Sequence, residues 1–342
     1  MRDERPARRV AVVGAGIAGL AASHRLIELA PDCQLRLLEQ SSRLGGVIET
    51  VHEQGFQIEQ SADNFITTVP YGLNLCRRLG LADRLVQTDP THRQTYVVYR
   101  GRLHKLPDGF LMMAPTRLWP LALTPLLSPW GKLRAAMEYF IPPRGDTGDE
   151  SMAAFGRRRL GRESFERLIE PLVSAVYAAD MEKLSVDATL SRFRDMEREH
   201  GSLIRAMRRQ MAERRRKSRA KETESGARFS MFVTLRDGLG TLVDAIASRL
   251  PQGTVRLNSP VDRIDRAEGG AWRIHSGQTE ETFDAVILAT PSYVSGRLLA
   301  PLDPTLGQLL GRVEHSGTAI VSLGFERSRI AHPLAGAGAV VP

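Results

Sequence analysis

The apolar positions change period twice within the first forty residues. Residues 9–13, RVAVV, are a β-branched run that predicts a buried strand. Over 17–30, Leu20, Ala21, Leu26, Ile27 and Leu29 fall on a helical apolar pattern, and Pro31 ends it. Residues 34–39, QLRLLE, alternate and predict a second strand. The three pieces make a βαβ unit. Further on, a helix is expected over 70–79, and strands over 95–99 and 102–105 flank an Arg100-Gly101 turn. Residues 107–143 are proline-rich and irregular, with one helical stretch at 132–140. Helical periodicity returns over 151–176, broken at Gly161 and Pro171, and again over 186–221. Strands then dominate: 229–233, 255–257, 261–265, 271–275, 284–289 and 317–325, with a helix at 240–250. This order predicts an α/β domain carrying a long helical insertion.

The 342 residues, 42% hydrophobic and 25% charged, suit a globular protein of two or three domains. The net charge of +8 is local: residues 204–221 hold nine basic side chains and one acid, Glu213, which accounts for the whole excess. A nucleic-acid binder would carry its charge over a folded face, so no nucleic-acid partner is expected. A solvated helix or contact with anionic lipid fits this segment. Cys33 and Cys76 form no CxxC and no secretory signal precedes them, which points to a reducing, cytoplasmic setting. The uncharged run at 118–131 is too short to span a bilayer. Pro120, Pro125 and Pro129 are expected to break any helix there, leaving surface contact with a membrane or a pocket wall.

The chemistry is concentrated at Gly14, Gly16 and Gly19, in GAGIAG. Gly14 permits a tight turn after the strand, Gly16 a close approach to a pyrophosphate, and Gly19 close helix–strand packing. The helix N-terminus offers free N–H groups to phosphates. Glu39 ends the next strand twenty residues after Gly19, where a carboxylate accepts ribose hydroxyls and repels a 2′-phosphate. NAD and FAD share this fingerprint. Arg43, Gly45 and Gly46 then supply a cation and a second glycine pair, which favour a second backbone crossing beside the cofactor. The eight histidines are scattered, and no metal-ligand spacing or nucleophile triad stands out.

GAGIAGL followed by E-x-x-x-R-L-G-G resembles the flavin-containing amine oxidase superfamily. GFQIEQSADNFIT (55–67), YRGRLHKLP (99–107), LRDGLGTLVDAI (235–246), VRLNSPVDRI and DAVILATP resemble segments of its porphyrinogen oxidases. The resemblance runs from about Val10 to the last residue and implies a bacterial coproporphyrinogen or protoporphyrinogen oxidase that uses FAD and O2 and releases H2O2. It implies a Rossmann-like FAD-binding domain over 8–85 plus 229–300. Incomplete α+β substrate-domain strands would lie at 86–110 plus 301–342, and a helical, membrane-associating insertion at 111–228. It places Gly14, Ala15, Gly16, Ile17, Ala18 and Gly19 on FAD through their backbone, and Glu39 and Gln40 at the ribose. Arg43, Gly45, Gly46 and Val47 would meet the pyrophosphate region, Ser61, Ala62, Asp63 and Asn64 the isoalloxazine, and the Val261 backbone the adenine. Val261 as a plain strand residue and Asn64 as a turn residue are the structural alternatives. No catalytic side chain is implied.

Two departures matter. Thr95, with Arg93 close by, stands where eukaryotic relatives carry a propionate-facing arginine, which leans toward coproporphyrinogen. The glycine-rich C-terminal segment that closes over the flavin is missing from the sequence, so a truncated product is expected. Another oxidase or desaturase of the superfamily, an inactive fragment and a basic binding module are the rival readings.

Overall fold

The computed structural model describes residues 7–92, 94–111, 113–115, 118–146, 148–220 and 232–341. It begins with β1 (Arg9–Val13), α1 (Ile17–Leu29), β2 (Gln34–Leu38), β3 (Thr50–Glu53), β4 (Phe56–Glu59), β5 (Phe65–Ile66), α2 (Tyr71–Arg78) and β6 (Leu85–Gln87). Next come β7 (Gln94–Tyr99), β8 (Arg102–Lys105), β9 (Phe110–Leu111), β10 (Ala114–Pro115), α3 (Leu118–Leu123) and α4 (Pro129–Ala136). Then follow α5 (Met152–Leu160), α6 (Arg162–Ser164), α7 (Glu170–Tyr177), α8 (Val186–His200) and α9 (Leu203–Ala220). The chain continues through β11 (Phe232–Leu235), α10 (Gly240–Ala247), β12 (Val255–Arg256), β13 (Arg263–Arg266), β14 (Trp272–Ser276), β15 (Thr279–Phe283) and β16 (Ala285–Leu288). It closes with α11 (Ser292–Leu299), α12 (Pro304–Gly311) and β17 (Gly336–Val340).

Two units result. One comprises Met1–Thr88, Arg228–His315 and Ala319–Leu323, the other Asp89–Ala227, Ser316–Thr318 and Gly324–Pro342. The first is built on a parallel sheet in the order β12-β2-β1-β16. Successive side chains of a strand point to opposite faces, and both faces here are covered, which explains why residues 10–13 of β1 are all apolar. Val10 and Val12 face a core with Leu20 of α1 and Leu242, Val243 and Ile246 of α10. Ala11 and Val13 face the opposite core, with Ile264, Ile274 and Phe283 of the antiparallel sheet β13-β14-β15 and Leu298 of α11. The sheet is therefore covered on both sides. The hairpin β3-β4 adds a polar clamp: Glu59 accepts the Leu239 N–H and Thr50 the Gly240 N–H, 2.8 Å each, at the start of α10.

In the second unit, helices α4, α5 and α7 to α9 and the strands β7 and β17 share one core. Arg159 and Glu138 are fully buried and paired. The Glu138 carboxylate also accepts from the Ser202 hydroxyl (2.6 Å) and the Leu203 and Ile204 N–H groups (2.7 and 3.1 Å), so it caps α9. Arg159 donates in addition to the carbonyls of Ile141 and Gly201. A buried pair this well satisfied fixes which helix meets which.

Several expectations need correction. The 111–228 stretch and the strands at 94–105 and 336–340 fall in one unit, because they share that core. The dinucleotide-type unit runs past residue 300, because α12 packs on α11. Residues 118–123 are helical despite Pro120, and Pro129 opens α4, since a first-turn proline lacks only an N–H that needs no helical partner. The strand expected at 229–233 is observed at Phe232–Leu235, and its first three positions lie outside the described residues, as do Arg93 and Lys221. No strand forms at 317–325; residues 316–325 are exposed and carry no hydrogen bond.

His24 is buried on the inner face of α1, with Glu28 3.7 Å from its Nδ1. Burial pushes its pKa below 6.5; Glu28 opposes this, while Arg78, Arg249 and Arg25 add to it. The unfolded chain therefore binds a proton there more readily than the folded one. Stability should fall as pH drops below about 6.5, and His24→Gln should flatten that slope in denaturant melts. An unchanged slope in the variant refutes the assignment.

Candidate functional site

Parallel pairing sets three strand ends side by side: Val13 of β1 is in register with Leu38 of β2 and Leu288 of β16. Open α/β sheets bind ligands outside such carboxyl ends. A cavity of about 520 Å³ lies there, the size of an ordinary small-molecule pocket.

The backbone makes its floor. Gly14 leaves β1 at φ +95°, and a Cβ on it would lie 2.8 Å from the Ala289 carbonyl oxygen. A Cβ on Gly19 would lie 1.9 Å from the Gly14 carbonyl oxygen, so turn and helix touch backbone to backbone. Gly16 is the N-cap of α1 and offers no side-chain acceptor, and no acid occupies the first turn. The first-turn N–H groups and the positive helix end are left for an anion. The second glycine pair crosses where expected. The Gly45 N–H donates to Ala15 O at 2.9 Å, and a Cβ on Gly46 would lie 3.0 Å from Gly16 Cα.

Glu39 is buried at the cavity wall and is already engaged. Its Oε2 accepts the Ala15 N–H at 2.7 Å, and its Oε1 accepts the Ser41 N–H at 2.9 Å with the Ser41 hydroxyl also 2.9 Å away. Burial pushes this carboxyl up, yet the Ser41 N–H, the Ala15 N–H and the Ser41 hydroxyl together hold it below 4.5. The carboxylate lies at the cavity wall, where it can also accept a ligand hydroxyl. Anion-binding N–H groups, a Cβ-free floor and a wall carboxylate fit an adenine dinucleotide.

Of the residues expected here, Gly14, Gly16, Ile17, Ala18, Glu39, Gln40, Gly45, Gly46, Val47 and Val261 line the cavity. Ala15 and Gly19 support it from behind. Val261 lies just before β13 and not within it. Arg43 is placed differently. Its guanidinium donates to the carbonyls of Leu44 (3.2 Å), Gly46 (2.6 Å) and Ile48 (3.2 Å) and pairs with Glu49 (3.1 Å). The loop's own carbonyls need donors, so Arg43 staples the glycine pair, and it is not among the residues that line the cavity. Ser61, Ala62, Asp63 and Asn64 also lie off its lining. Asn64 donates to Asp63, whose carbonyl accepts from Thr234. Ser259, Ala289, Thr290, Pro291, Val294 and Leu298 line it without having been anticipated. The apolar run DAVILATP held the signal, because the residues that leave a strand next to β1 must border the glycine turn.

Residues 17–333 match the model of flavin containing amine oxidoreductases. The chain belongs to that family. A coproporphyrinogen III oxidase of Staphylococcus aureus is 31% identical over 98% of this chain and 71% of the relative. One from Propionibacterium freudenreichii is 34% identical over 92% of this chain and 63% of the relative. A solved structure from Exiguobacterium sp., provisionally named a protoporphyrinogen oxidase, superposes with a TM-score of 0.74 at 32% identity, covering 88% of this chain and 63% of that one. The chain thus spans about two thirds of these relatives. Cyclohexylamine oxidase from Brevibacterium oxydans, at 19% identity and a TM-score of 0.58, shares the fold. The flavin of this family, FAD, is the cofactor that the cavity suits.

Glu39→Ala removes both the wall acceptor and the tie between two loops. FAD titration should show binding weakened by roughly 1–3 kcal/mol, with a lower melting temperature in the cofactor-free protein. The folded pKa lies below the unfolded one, so the contribution of Glu39 to stability is present above about pH 4.5 and lost as pH falls further. Unchanged FAD affinity in the variant excludes the ribose role.

Proposed function

We propose that this chain is the FAD-holding part of a coproporphyrinogen III oxidase, with protoporphyrinogen IX as the second substrate. The supporting observation is the conjunction of the cavity, whose floor is the Gly14–Gly19 turn and the Gly45–Gly46 crossing, with the coproporphyrinogen oxidases among its relatives. Bound FAD supplies two-electron acceptance. Aromatisation of the porphyrinogen removes six hydrogens, so three rounds reduce three O2 to three H2O2. In this reading the first turn of α1 binds the pyrophosphate, Glu39 takes a ribose hydroxyl, Val261 flanks the adenine, and Arg43 keeps the second crossing in place. Ser61 to Asn64 belong on the flavin-ring side. No protein base is assigned.

Thr95 lies within β7, in register with Gly338 of β17. With threonine in place of a cation, recognition of two propionates is not singled out, and the tetracarboxylate coproporphyrinogen is favoured. With the complete enzyme, coproporphyrinogen III should be oxidised faster than protoporphyrinogen IX. The reverse ratio of kcat/KM removes this part of the proposal.

The reading also places the protein at the inner membrane surface. Among the described residues no helix is long and apolar enough to cross a bilayer. The inner face of α4 meets the core through Gly131 and Ala135, while Trp130, Leu133, Met137 and Phe140 form an outer stripe at helical spacing. Trp119, Trp130 and Phe140 are 74%, 78% and 78% exposed. The one acid in 118–140, Glu138, is fully buried, and Arg205 stacks on Tyr139 at the stripe's edge. Exposed tryptophans with a cationic margin suit an anionic lipid surface. Trp130→Ala combined with Phe140→Ala should abolish co-sedimentation with vesicles containing phosphatidylglycerol. Equal sedimentation of both proteins counts against the contact.

A further inference from the structure

Two hydroxyl groups stand directly behind the wall of the cofactor cavity. Thr290 Oγ1 and Ser295 Oγ are 2.7 Å apart, and Ser295 Oγ also lies 3.4 Å from the Thr290 carbonyl oxygen. Ser295 is buried in α11, and its N–H is held by Pro291 O at 3.0 Å, so its position is set by the helix. Thr290 lines the cavity. The Ala289 N–H extends the sheet to Val13 O at 2.8 Å, which brings residues 289–290 alongside the glycine turn. There the Thr290 methyl lies 3.2 Å from the point where a Cβ on Gly14 would sit. With its hydroxyl held by Ser295, Thr290 is confined to the rotamer that turns this methyl toward Gly14. Without that bond, other staggered rotamers open, and they withdraw the methyl or bring the hydroxyl into the contact.

We propose that Ser295 is a positioning residue for the cofactor: acting through Thr290, it braces the Gly14 turn in the shape that receives the pyrophosphate. The proposal rests on the FAD reading above. It concerns the adenosine diphosphate half, because the Thr290 methyl fills the space beside Gly14 that a side chain there would need.

The test is a double-mutant cycle with FAD and with ADP alone, read by titration, with the melting temperature of the cofactor-free protein measured in parallel. Ser295→Ala removes one hydroxyl. Thr290→Val removes the other and keeps the shape. Each should weaken FAD and ADP binding by the same factor, about tenfold, the scale of one buried hydrogen bond. The double variant should be no worse than either single one, because both remove the same bond. Thr290→Ser keeps the bond and loses the methyl, and should also bind more weakly. Binding within twofold of wild type in Ser295→Ala, with a lowered melting temperature, would reduce the pair to a structural contact and overturn the proposal. Additive effects in the double variant would overturn it as well. A wild-type chain that takes up neither FAD nor ADP would instead sink the underlying cofactor reading.

Discussion

The Glu39 carboxylate spans the ends of β1 and β2, with the Ala15 N–H on one oxygen and the Ser41 N–H and hydroxyl on the other. Everything at the mouth of the sheet is arranged around this tie. The carbonyl of the same Ala15 accepts the Gly45 N–H, so the first glycine loop is linked to the second. Arg43 then gathers the carbonyls of the second loop. The cradle is thus organised by hydrogen bonds within the protein. A bound dinucleotide meets a shape already formed, which lowers the ordering cost of binding.

The second unit solves a similar problem with opposite means. Glu138 and Arg159 are taken fully out of water, which is costly unless every lone pair and proton is used. Here they are used on the start of α9 and on the carbonyls around it. The carboxylate that would have made the 118–140 surface acidic is consumed inside. What remains outside between Trp130 and Phe140 is an apolar stripe with no acid beside it, so the internal pair and the external stripe are two sides of one short helical segment.

Much of the first unit was legible because its constraints are local. A β-branched run, a GxGxxG turn and a carboxylate at a strand end each declare their geometry within a few residues, and β1, α1, β2 and ten of the anticipated lining residues followed. What local sequence does not show is which partners a side chain finds in the fold. A cation beside glycines suggests a phosphate ligand, and Arg43 also serves the carbonyls of its own loop, acceptors that composition does not reveal. Ala289 and Thr290 went unread because their position depends on β16 pairing with β1 across some 270 residues. Pro120 and Pro129 misled because proline's effect depends on its place in the helix, which spacing alone did not supply.

Residues 316–325 have a consequence for the molecule in a crowded solution. GTAIVSLGF, at 317–325, carries no charge and no proline, and Val321, Leu323 and Phe325 alternate along it with every backbone group unpaired. Such a stretch is a template for intermolecular cross-β pairing. A lysine at Val321 or Leu323 is the device that natural edges use against such pairing, and because both side chains are exposed it would touch neither core.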